Sequence, residues 1–278
     1  MSRVVVISNR VMLPKGKKPE AAGGLAVALF DTLKETNGLW FGWSGAVTTN
    51  KNIKPIVKKD EGITYAIVDL TKKDYENYYN GYCNEVLWPT FHYRLDLVDY
   101  SKLKFESYKG VNKSFSLMIK KLLKSEDLIW VHDYHFLFIA KELRKLKCTQ
   151  KIGFFLHIPW PSKEILTALP DHRELVDALL EFDLIGFQTR KHVLTFIDYI
   201  ISELGGSVEP DGSIFALGKK SKVKHFPISI DTNKIVKISE ETDNSPQVKR
   251  LVKSIKTDKL IIGVDRLDYS KGLELRFS

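Results

Sequence analysis

The sequence predicts an α/β protein with a Rossmann-like, doubly wound and mostly parallel sheet. Short apolar runs alternate with amphipathic segments of helical period along most of the 278 residues, which is the rhythm of strand–helix–strand units. The runs are apolar at successive positions, as expected for strands buried on both faces. Polar residues follow several runs directly, at the strand ends where open α/β sheets bind ligands. We therefore predict a ligand-binding domain over residues 1–240 and, over residues 241–278, a linker and the truncated start of a second Rossmann-like domain.

Composition narrows the class of protein. The chain is 44% hydrophobic and 28% charged, which is typical of globular proteins. Its apolar run near the N-terminus is too short for a signal peptide or a membrane span. Its two cysteines, Cys83 and Cys148, show no pairing pattern. We therefore expect a cytoplasmic protein with no membrane partner.

The formal net charge of +9 comes from lysine clusters in separate predicted loops. Solvated loops are the simplest interpretation, and binding of phosphorylated small molecules is the alternative. No nucleic-acid-binding motif accompanies the clusters, so we expect no nucleic-acid partner.

The first predicted strand covers residues 4–7 and ends in a polar loop that contains Arg10. A helix then begins at Gly23 and Gly24 and runs to about residue 35. Two glycines at a helix N-terminus let a phosphate approach bare backbone N–H groups. The third glycine of the dinucleotide fingerprint is absent. A flexible turn remains the alternative for this pair.

An aromatic-rich region follows. Residues 39–45 (LWFGWSG) are expected to pack in the core, and their glycine spacing does not fit a hydrolase nucleophile elbow. A strand at 63–70 and a tyrosine-rich helix at 74–82 come next. Tyr79 and Trp88 are candidates to stack on the apolar face of a sugar, and burial in the core is the alternative for both.

Two further strand ends carry polar residues. A buried strand at 127–131 leads into Asp133, and a helix is predicted from there to about residue 146. Asp133 is well placed to hold sugar hydroxyls, although it could simply cap the helix. A strand at 152–156 ends at His157, just before two prolines. His157 can donate to a sugar hydroxyl or to a developing negative charge, or it can cap the turn.

The rest of the chain continues the same alternation. A basic strand-to-helix loop with Arg266 and Lys271 is suited to holding phosphate. The chain then stops as a second sheet would begin, so we expect residues from about 245 onward to be loosely held or to pack on another chain. The remaining predicted elements are a helix at 105–124, a strand at 184–188, a helix ending near 204, a hairpin at 208–214, a strand at 222–230, a linker at 233–247, a helix at 248–256 and a strand at 259–264.

The motifs do not indicate metal or covalent chemistry. His132 and His135 have no cysteine or acidic partner at the spacing of a zinc site. No serine or cysteine nucleophile set and no phosphatase aspartate pair is recognisable. We expect no metal and no cofactor. Phosphate-binding backbone, cations, aromatic rings and one aspartate fit the transfer of a sugar between phosphorylated partners.

Nine segments, taken together, resemble the trehalose-6-phosphate synthase family over the whole chain. They are 8–10 (SNR), 23–26 (GGLA), 39–45 (LWFGWSG), 87–89 (LWP), 91–94 (FHYR), 130–135 (WVHDYH), 153–159 (GFFLHIP), 185–189 (IGFQT) and 265–272 (DRLDYSKG). The resemblance implies a GT-B glycosyltransferase, with two facing Rossmann-like domains and the active site between them. It further implies transfer of glucose from UDP-glucose to glucose 6-phosphate, which gives α,α-trehalose 6-phosphate and UDP. It also implies retention of configuration, a front-face mechanism without a protein nucleophile, and activity that does not require a metal ion.

The resemblance also implies roles for individual residues, with Asp133 and His157 as the catalytic pair. Arg10 would contact the phosphate of the acceptor, glucose 6-phosphate. The residues around the sugar of the acceptor would be Tyr79, Trp88 and Asp133. The donor UDP-glucose would contact Gly23, Gly24, His157, Arg266 and Lys271.

Most of the second domain of that family lies beyond this sequence, so we expect the chain alone to turn over poorly. Two alternatives stay open: a related transferase with another phosphorylated acceptor, and a non-catalytic sugar-phosphate-binding regulatory subunit. The sequence does not decide between a monomer and a homo-oligomer.

Overall fold

The computed structural model describes residues 2–11, 13, 24–229, 232–256 and 260–277. The chain divides into two compact units, one ending at Pro227 and the other beginning at Ile228. Each unit is described by itself. The predicted boundary after residue 240 falls within the second unit and stays a prediction.

A ten-stranded sheet forms the first unit, with strand order β3-β4-β2-β1-β5-β6-β7-β10-β9-β8. The strands from β4 to β10 in this order are parallel to one another, and antiparallel strands lie at both ends. The predicted mostly parallel, doubly wound sheet is therefore confirmed. The strands are β1 Val4–Arg10, β2 Leu39–Thr48, β3 Ile56–Asp60, β4 Ile63–Thr71, β5 Leu128–His132, β6 Lys151–Leu156, β7 Leu184–Phe187, β8 Ser207–Val208, β9 Ser213–Ala216 and β10 Lys219–His225.

The strand order reverses at β1. From β1 the chain proceeds outward on one side to β2 and β4, and it then returns to the other side of β1 as β5. The connections that follow β1 and β5 therefore diverge and leave a crevice at the carboxyl ends of these two strands. Ligands of open α/β sheets bind at such a switch point.

Helices connect the strands. A π-helix, Tyr75–Leu87, interrupts the α-helical series, and 3₁₀ turns occur at Leu95–Leu97, Tyr134–Phe136 and Tyr269–Lys271. The α-helices are α1 Gly24–Glu35, α2 Lys72–Asp74, α3 Trp88–Phe91, α4 Lys102–Lys120, α5 Ile139–Lys145, α6 Lys163–Leu166, α7 His172–Leu179, α8 Arg190–Leu204, α9 Thr232–Thr242, α10 Pro246–Ser254 and α11 Leu273–Phe277.

The central strand β1 contributes to two apolar clusters. Val5 and Ile7 belong to the larger cluster, and Val4 and Val6 belong to a smaller one that includes Leu33 of α1. Because successive side chains of a strand point to opposite faces, β1 must be apolar at every one of these positions. Full burial of each such side chain contributes about 1.5–3 kcal/mol.

A charged pair fastens β1 to β5 at the amino ends of the strands. Arg3 donates from Nε to Asp127 Oδ1 (2.8 Å) and from Nη2 to Asp127 Oδ2 (2.6 Å). The Asp127 side chain is only 1% exposed, and it also accepts from the backbone N–H of Lys124 (2.7 Å). This pair therefore fixes the relative position of β1 and β5, whose opposite ends flank the crevice.

Three sequence-based expectations about local structure need correction. The predicted helix at 134–146 is split into the 3₁₀ turn Tyr134–Phe136 and the α-helix Ile139–Lys145, because the N–H of Leu137, at the break, donates to the Tyr108 hydroxyl (3.0 Å). The predicted linker at 233–247 is largely helical (α9 and the start of α10), since its lysine and glutamate residues are good helix formers. Residues 260–264 of the predicted strand at 259–264 form no strand, and Ile261 is 96% exposed. An isolated segment has no neighbour to satisfy its backbone groups; Lys259 lies outside the described residues.

Cys83 and Cys148 are both free and buried. Among the described residues, no helix combines the length and the apolar character that crossing a membrane requires. The predicted cytoplasmic location stays a prediction.

Candidate active site at the strand ends

Arg10, the last residue of β1, is held against an aromatic ring of β2. It lies opposite Trp43 in the parallel pairing, and its guanidinium carbon is 5.0 Å from the centre of the Trp43 ring. Gly45 makes room for the guanidinium, because a Cβ at this position (φ +91°) would overlap it. Trp43 itself is fixed by donating from Nε1 to the carbonyl of Ala46 (2.7 Å). Arg10 is thus exposed but positioned.

Tyr79 joins this arginine platform to the end of β5. It lies on the π-helix, half-buried against the core. Its ring centre is 4.9 Å from that of Trp43 and 6.1 Å from that of His135, and the planes of the Tyr79 and His135 rings are inclined by only 17°.

Trp88 continues the row of rings on the other side. The ring of Tyr134 lies 4.1 Å from His135 and 5.8 Å from Trp88, centre to centre. Trp88 also contacts the ring of His92 at 4.1 Å. A continuous series of contacts therefore extends from Arg10 to Trp88. We call its rings the aromatic wall; they are Trp43, Tyr79, His135, Tyr134 and Trp88.

Buried hydrogen bonds hold the turn after β5 that carries two rings of the wall. Tyr108 donates from its hydroxyl to the carbonyl of Tyr134 (2.6 Å) and accepts from the N–H of Leu137 (3.0 Å). The amide of Asn112 donates to the carbonyl of His135 (3.1 Å). Because these groups belong to α4 and are fully buried, they set the position of the turn rigidly.

Asp133 lies between β5 and this turn. Its N–H donates to the carbonyl of Phe155 (2.8 Å), and its Oδ1 accepts from the N–H of His157 (3.3 Å). It makes no side-chain hydrogen bond that caps the following 3₁₀ turn, so the capping alternative is wrong. Burial raises the pKa of Asp133 to about 7, although the nearby N–H groups of Tyr134 and His157 act in the opposite direction. A carboxyl with so few partners of its own is available to hydroxyl groups of a ligand.

His157 follows β6 and pairs with the last residue of β5. The Nδ1 of His132 and the Nε2 of His157 are 2.9 Å apart, so one hydrogen atom joins the two rings. Burial lowers the pKa of His157 to about 4, and burial together with the charge of His157 lowers the pKa of His132 to about 3. Burial also lowers the pKa of His135 to about 3. All three rings are therefore neutral at pH 7 and can act in hydrogen bonds but not as cations.

The first unit thus brings together five of the predicted site residues: Arg10, Tyr79, Trp88, Asp133 and His157. Gly24 is the first residue of α1, and Gly23 lies outside the described residues. The other two belong to the second unit, where Arg266 is 4.0 Å from Asp268 and Lys271 ends a 3₁₀ turn. The functional role of each of these residues stays a prediction.

Several contributors to the site were not identified from the sequence. The core packing expected for residues 39–45 is confirmed for Trp43, but its contact with Arg10 is not evident in the sequence. The ring contacts of His132 and His135 are likewise not evident in the sequence. The signal for Trp43 is its register with Arg10, which depends on strand pairing and not on sequence spacing. Within the described residues, no three histidine, cysteine, aspartate or glutamate residues are grouped to hold a metal ion.

One surface groove of about 420 Å³ lies elsewhere. Residues of α4, α5 and α7 line it, including Lys109, Lys113 and Lys141, and none of the predicted site residues does.

The chain is similar in sequence and in structure to several known proteins. The sequence profile of glycosyltransferase family 20 matches residues 3–278. A curated trehalose-6-phosphate synthase of Salmonella choleraesuis is 45% identical over 278 residues, which is 100% of this chain and 58% of the relative. The chain therefore spans little more than half the length of the curated relatives that it matches.

Solved structures agree with this family. A UDP-forming α,α-trehalose-phosphate synthase from Burkholderia xenovorans, in complex with glucose-6-phosphate, matches with a TM-score of 0.91 and 42% identity over 99% of this chain and 60% of its own. A protein from E. coli bound with UDP-2-fluoro glucose matches with a TM-score of 0.89 and 41% identity over 99% of this chain and 59% of its own.

Proposed function

Because the chain belongs to glycosyltransferase family 20, we propose that the whole protein transfers glucose from UDP-glucose to glucose 6-phosphate with retention of configuration. The products are α,α-trehalose 6-phosphate and UDP. The name of the curated relative and the bound ligands of the two solved relatives support this substrate pair.

The observation that carries the proposal is the continuous wall from Arg10 to Trp88, with Asp133 beside it, at the β1/β5 switch point. A phosphorylated hexose needs a cation at one end, apolar surface along the ring and acceptors for its hydroxyl groups. Arg10 supplies a planar fork of donors for the phosphate. Tyr79 and Trp88 supply the apolar faces, and the Asp133 carboxyl accepts from hydroxyl groups of the sugar.

The donor would lie beside this acceptor. His157 is assigned to the donor glucose, and Gly24, the first residue of α1, to the diphosphate. The resemblance to the family assigns Arg266 and Lys271 to the UDP leaving group, whose charge they would offset. In the reaction, the bond between the donor sugar and UDP breaks, and an acceptor hydroxyl attacks the face that UDP leaves and passes its proton to the departing phosphate oxygen. Positioning of the two substrates and stabilisation of the developing charge therefore account for the rate acceleration.

Calorimetric titration of the purified chain tests the acceptor half of the proposal. We expect glucose 6-phosphate to bind more tightly than glucose or inorganic phosphate, because only the ester engages Arg10 and the wall together. Arg10→Ala should weaken binding by about tenfold or more, since hydrogen bonds to charged groups contribute about 1.5–3 kcal/mol. Arg173→Ala is the matched control, because Arg173 belongs to α7 and donates to the carbonyl of Glu203 on α8 (2.9 Å). Equal affinity of the Arg10 variant would overturn this assignment.

UDP release by the full-length protein tests the reaction. The expected result is UDP formation that requires both sugars, with an α,α linkage in the product by NMR. UDP formation without glucose 6-phosphate, or with a different phosphorylated acceptor only, would contradict the proposal.

A further inference from the structure

We propose that His132 is a positioning residue that holds His157 in the tautomer with its proton on Nδ1, so that His157 offers an N–H donor to a hydroxyl of the bound sugar. The proposal rests on the function proposed above only for the identity of that sugar. The tautomer itself follows from the contacts of the two rings.

The backbone fixes the two rings side by side. His132 is the last residue of β5 and pairs with Phe155 of β6, two residues before His157. The ring centres of His132 and His157 are 5.2 Å apart with planes inclined by 28°, and the His157 ring also packs edge-on against Phe155 at 4.7 Å. On its other side the His132 ring contacts Trp130 at 4.6 Å. His132 is 1% exposed, so its ring has little freedom to leave this arrangement.

One hydrogen atom between the two nitrogens allows two arrangements. In the first, His132 donates from Nδ1 and its Nε2 carries only a lone pair. In the second, His157 donates from Nε2 and the Nε2 of His132 must carry a proton. The Nε2 of His132 is buried and has no hydrogen-bond partner within the part of the chain that the structure describes. Buried N–H groups without a partner are rare, because such a group loses its hydrogen bond to water and gains none in return. The second arrangement would create such a group, and the first avoids it.

The first arrangement determines what His157 can do. Its Nε2 is occupied as an acceptor, so its proton resides on Nδ1. The Nδ1 of His157 has no hydrogen-bond partner among the described residues, and the ring is partly exposed. Because burial keeps both rings neutral, with a pKa of about 3 for His132 and about 4 for His157, the pair carries no extra proton at pH 7. His157 is then a donor to a sugar oxygen or to developing negative charge, and it is not a base.

Long-range ¹H–¹⁵N correlation spectra of the chain, labelled in its histidine rings, test this inference without any substrate. We expect His157 to be protonated on Nδ1 and unprotonated on Nε2, with signals assigned from a His157→Gln variant. A wild-type spectrum with the proton of His157 on Nε2 would overturn the inference, whatever the variants do.

Two substitutions separate the hydrogen bond from the packing of His132. His132→Asn keeps an N–H close to the position of Nδ1 and should leave the His157 tautomer unchanged. His132→Phe keeps a ring but removes the donor, and should release the tautomer. His172→Asn is the control, because the ring of His172 bonds to the Tyr199 hydroxyl in another part of the unit (2.6 Å). If His132→Phe, with an unchanged near-ultraviolet circular dichroism spectrum, leaves the His157 ring signals in place, His132 is not the positioning residue.

Kinetics of the full-length protein connect the tautomer to the reaction. His132→Phe should lower kcat by about tenfold or more while the KM for glucose 6-phosphate changes little, and His132→Asn should restore most of the rate. Equal loss in the two variants would contradict the positioning role. Failure of the proposed function would appear instead as absence of glucose 6-phosphate binding with the tautomer intact.

Discussion

The ring of Tyr79 stacks on the ring of His135, with centres 6.1 Å apart and planes inclined by 17°. This contact joins the π-helix to the turn after β5, and through Trp43 it connects with Arg10 on β1. Residues separated by more than a hundred positions in sequence thereby form one row of packed rings, in which Tyr79 and Trp88 are partly exposed. The predictions below test whether that row is held as the contacts indicate.

Gly45→Ala should weaken the binding of glucose 6-phosphate without unfolding the chain. A Cβ at Gly45 would overlap the guanidinium of Arg10 and displace it from the ring of Trp43. We expect an affinity about tenfold lower by calorimetry, because the phosphate loses a charge-assisted partner.

Gly212→Ala is the matched control for Gly45→Ala. Gly212 also has a positive φ (+76°), but an added Cβ meets no atom within 4 Å. Both variants strain the backbone by about 1–2 kcal/mol, so both should lower the melting temperature, and only Gly45→Ala should lower the affinity. A similar loss of affinity in both would attribute the effect to strain and not to Arg10.

Asp133→Asn should stabilise the chain at pH 8 and weaken the binding of glucose 6-phosphate. The pKa of Asp133 is about 7 in the folded chain and about 3.9 in an unfolded one. The folded state therefore holds the proton more tightly, and stability falls as pH rises from about 4 to 7. The amide removes this penalty, so urea unfolding at pH 8 should show a gain of about 1–3 kcal/mol that largely disappears near pH 4.5.

The exposed carboxyl of Asp198, which is 3.4 Å from Lys163, provides the control for Asp133. Asp198→Asn should change the free energy of unfolding by less than about 0.5 kcal/mol at either pH. If Asp133→Asn behaves in the same way, burial does not destabilise the ionised form of the Asp133 carboxyl.

His135→Phe should reduce the acid sensitivity of the chain. The pKa of His135 is about 3 in the folded chain and about 6.5 when unfolded. Unfolding between these pH values takes up a proton, so the stability that His135 contributes is present above about pH 6.5 and is lost as the pH falls toward 3. Removing the ring nitrogen should lower the slope of unfolding free energy against pH by about 1.4 kcal/mol per pH unit near pH 5.

His225 is exposed at the end of β10 and serves as the comparison for His135. His225→Phe should change the free energy of unfolding at pH 7 by less than about 0.5 kcal/mol. An unchanged slope of unfolding free energy against pH in His135→Phe would show that the buried ring takes up no proton on unfolding.

Arg3→Met should destabilise the sheet at the side opposite the crevice. It leaves the Asp127 carboxylate, 1% exposed, without its cation. We expect a loss of about 3–5 kcal/mol in urea unfolding. Lys34→Met breaks an ion pair with Glu61 whose side chains are 52% and 48% exposed, and should cost less than about 1 kcal/mol. Comparable losses would mean that burial does not strengthen the Arg3 pair.

The sequence predicted those features that depend on neighbours in the chain. The buried strands, the polar residues at their ends and the hairpin of β8 and β9 follow from local apolar pattern and turn chemistry. Asp133 and His157 could be singled out because each directly follows such a strand.

The features that were missed depend on contacts between distant segments. Trp43 supports Arg10 only through the register of β1 with β2, and His132 meets His157 only through the pairing of β5 with β6. The same holds for Tyr79, whose stacking on His135 requires the packing of the π-helix against the turn after β5. The mixture of positive and negative residues at 233–247 led to the wrong prediction of a linker, because lysine and glutamate are common in exposed helices as well as in linkers.

The indole N–H signals of the chain, followed by NMR during titration with glucose 6-phosphate, test the central claim most directly. The chain has five tryptophans. Trp43 and Trp88 belong to the aromatic wall, where Trp43 is buried but in contact with Arg10. Trp160 is equally buried but packs against Phe91 and Phe196 instead. The account predicts saturable shifts of the Trp43 and Trp88 signals with little change at Trp160. The absence of any shift at Trp88 and Trp43 at saturating ligand, or equal shifts at all three, would contradict a phosphorylated-hexose site on this wall.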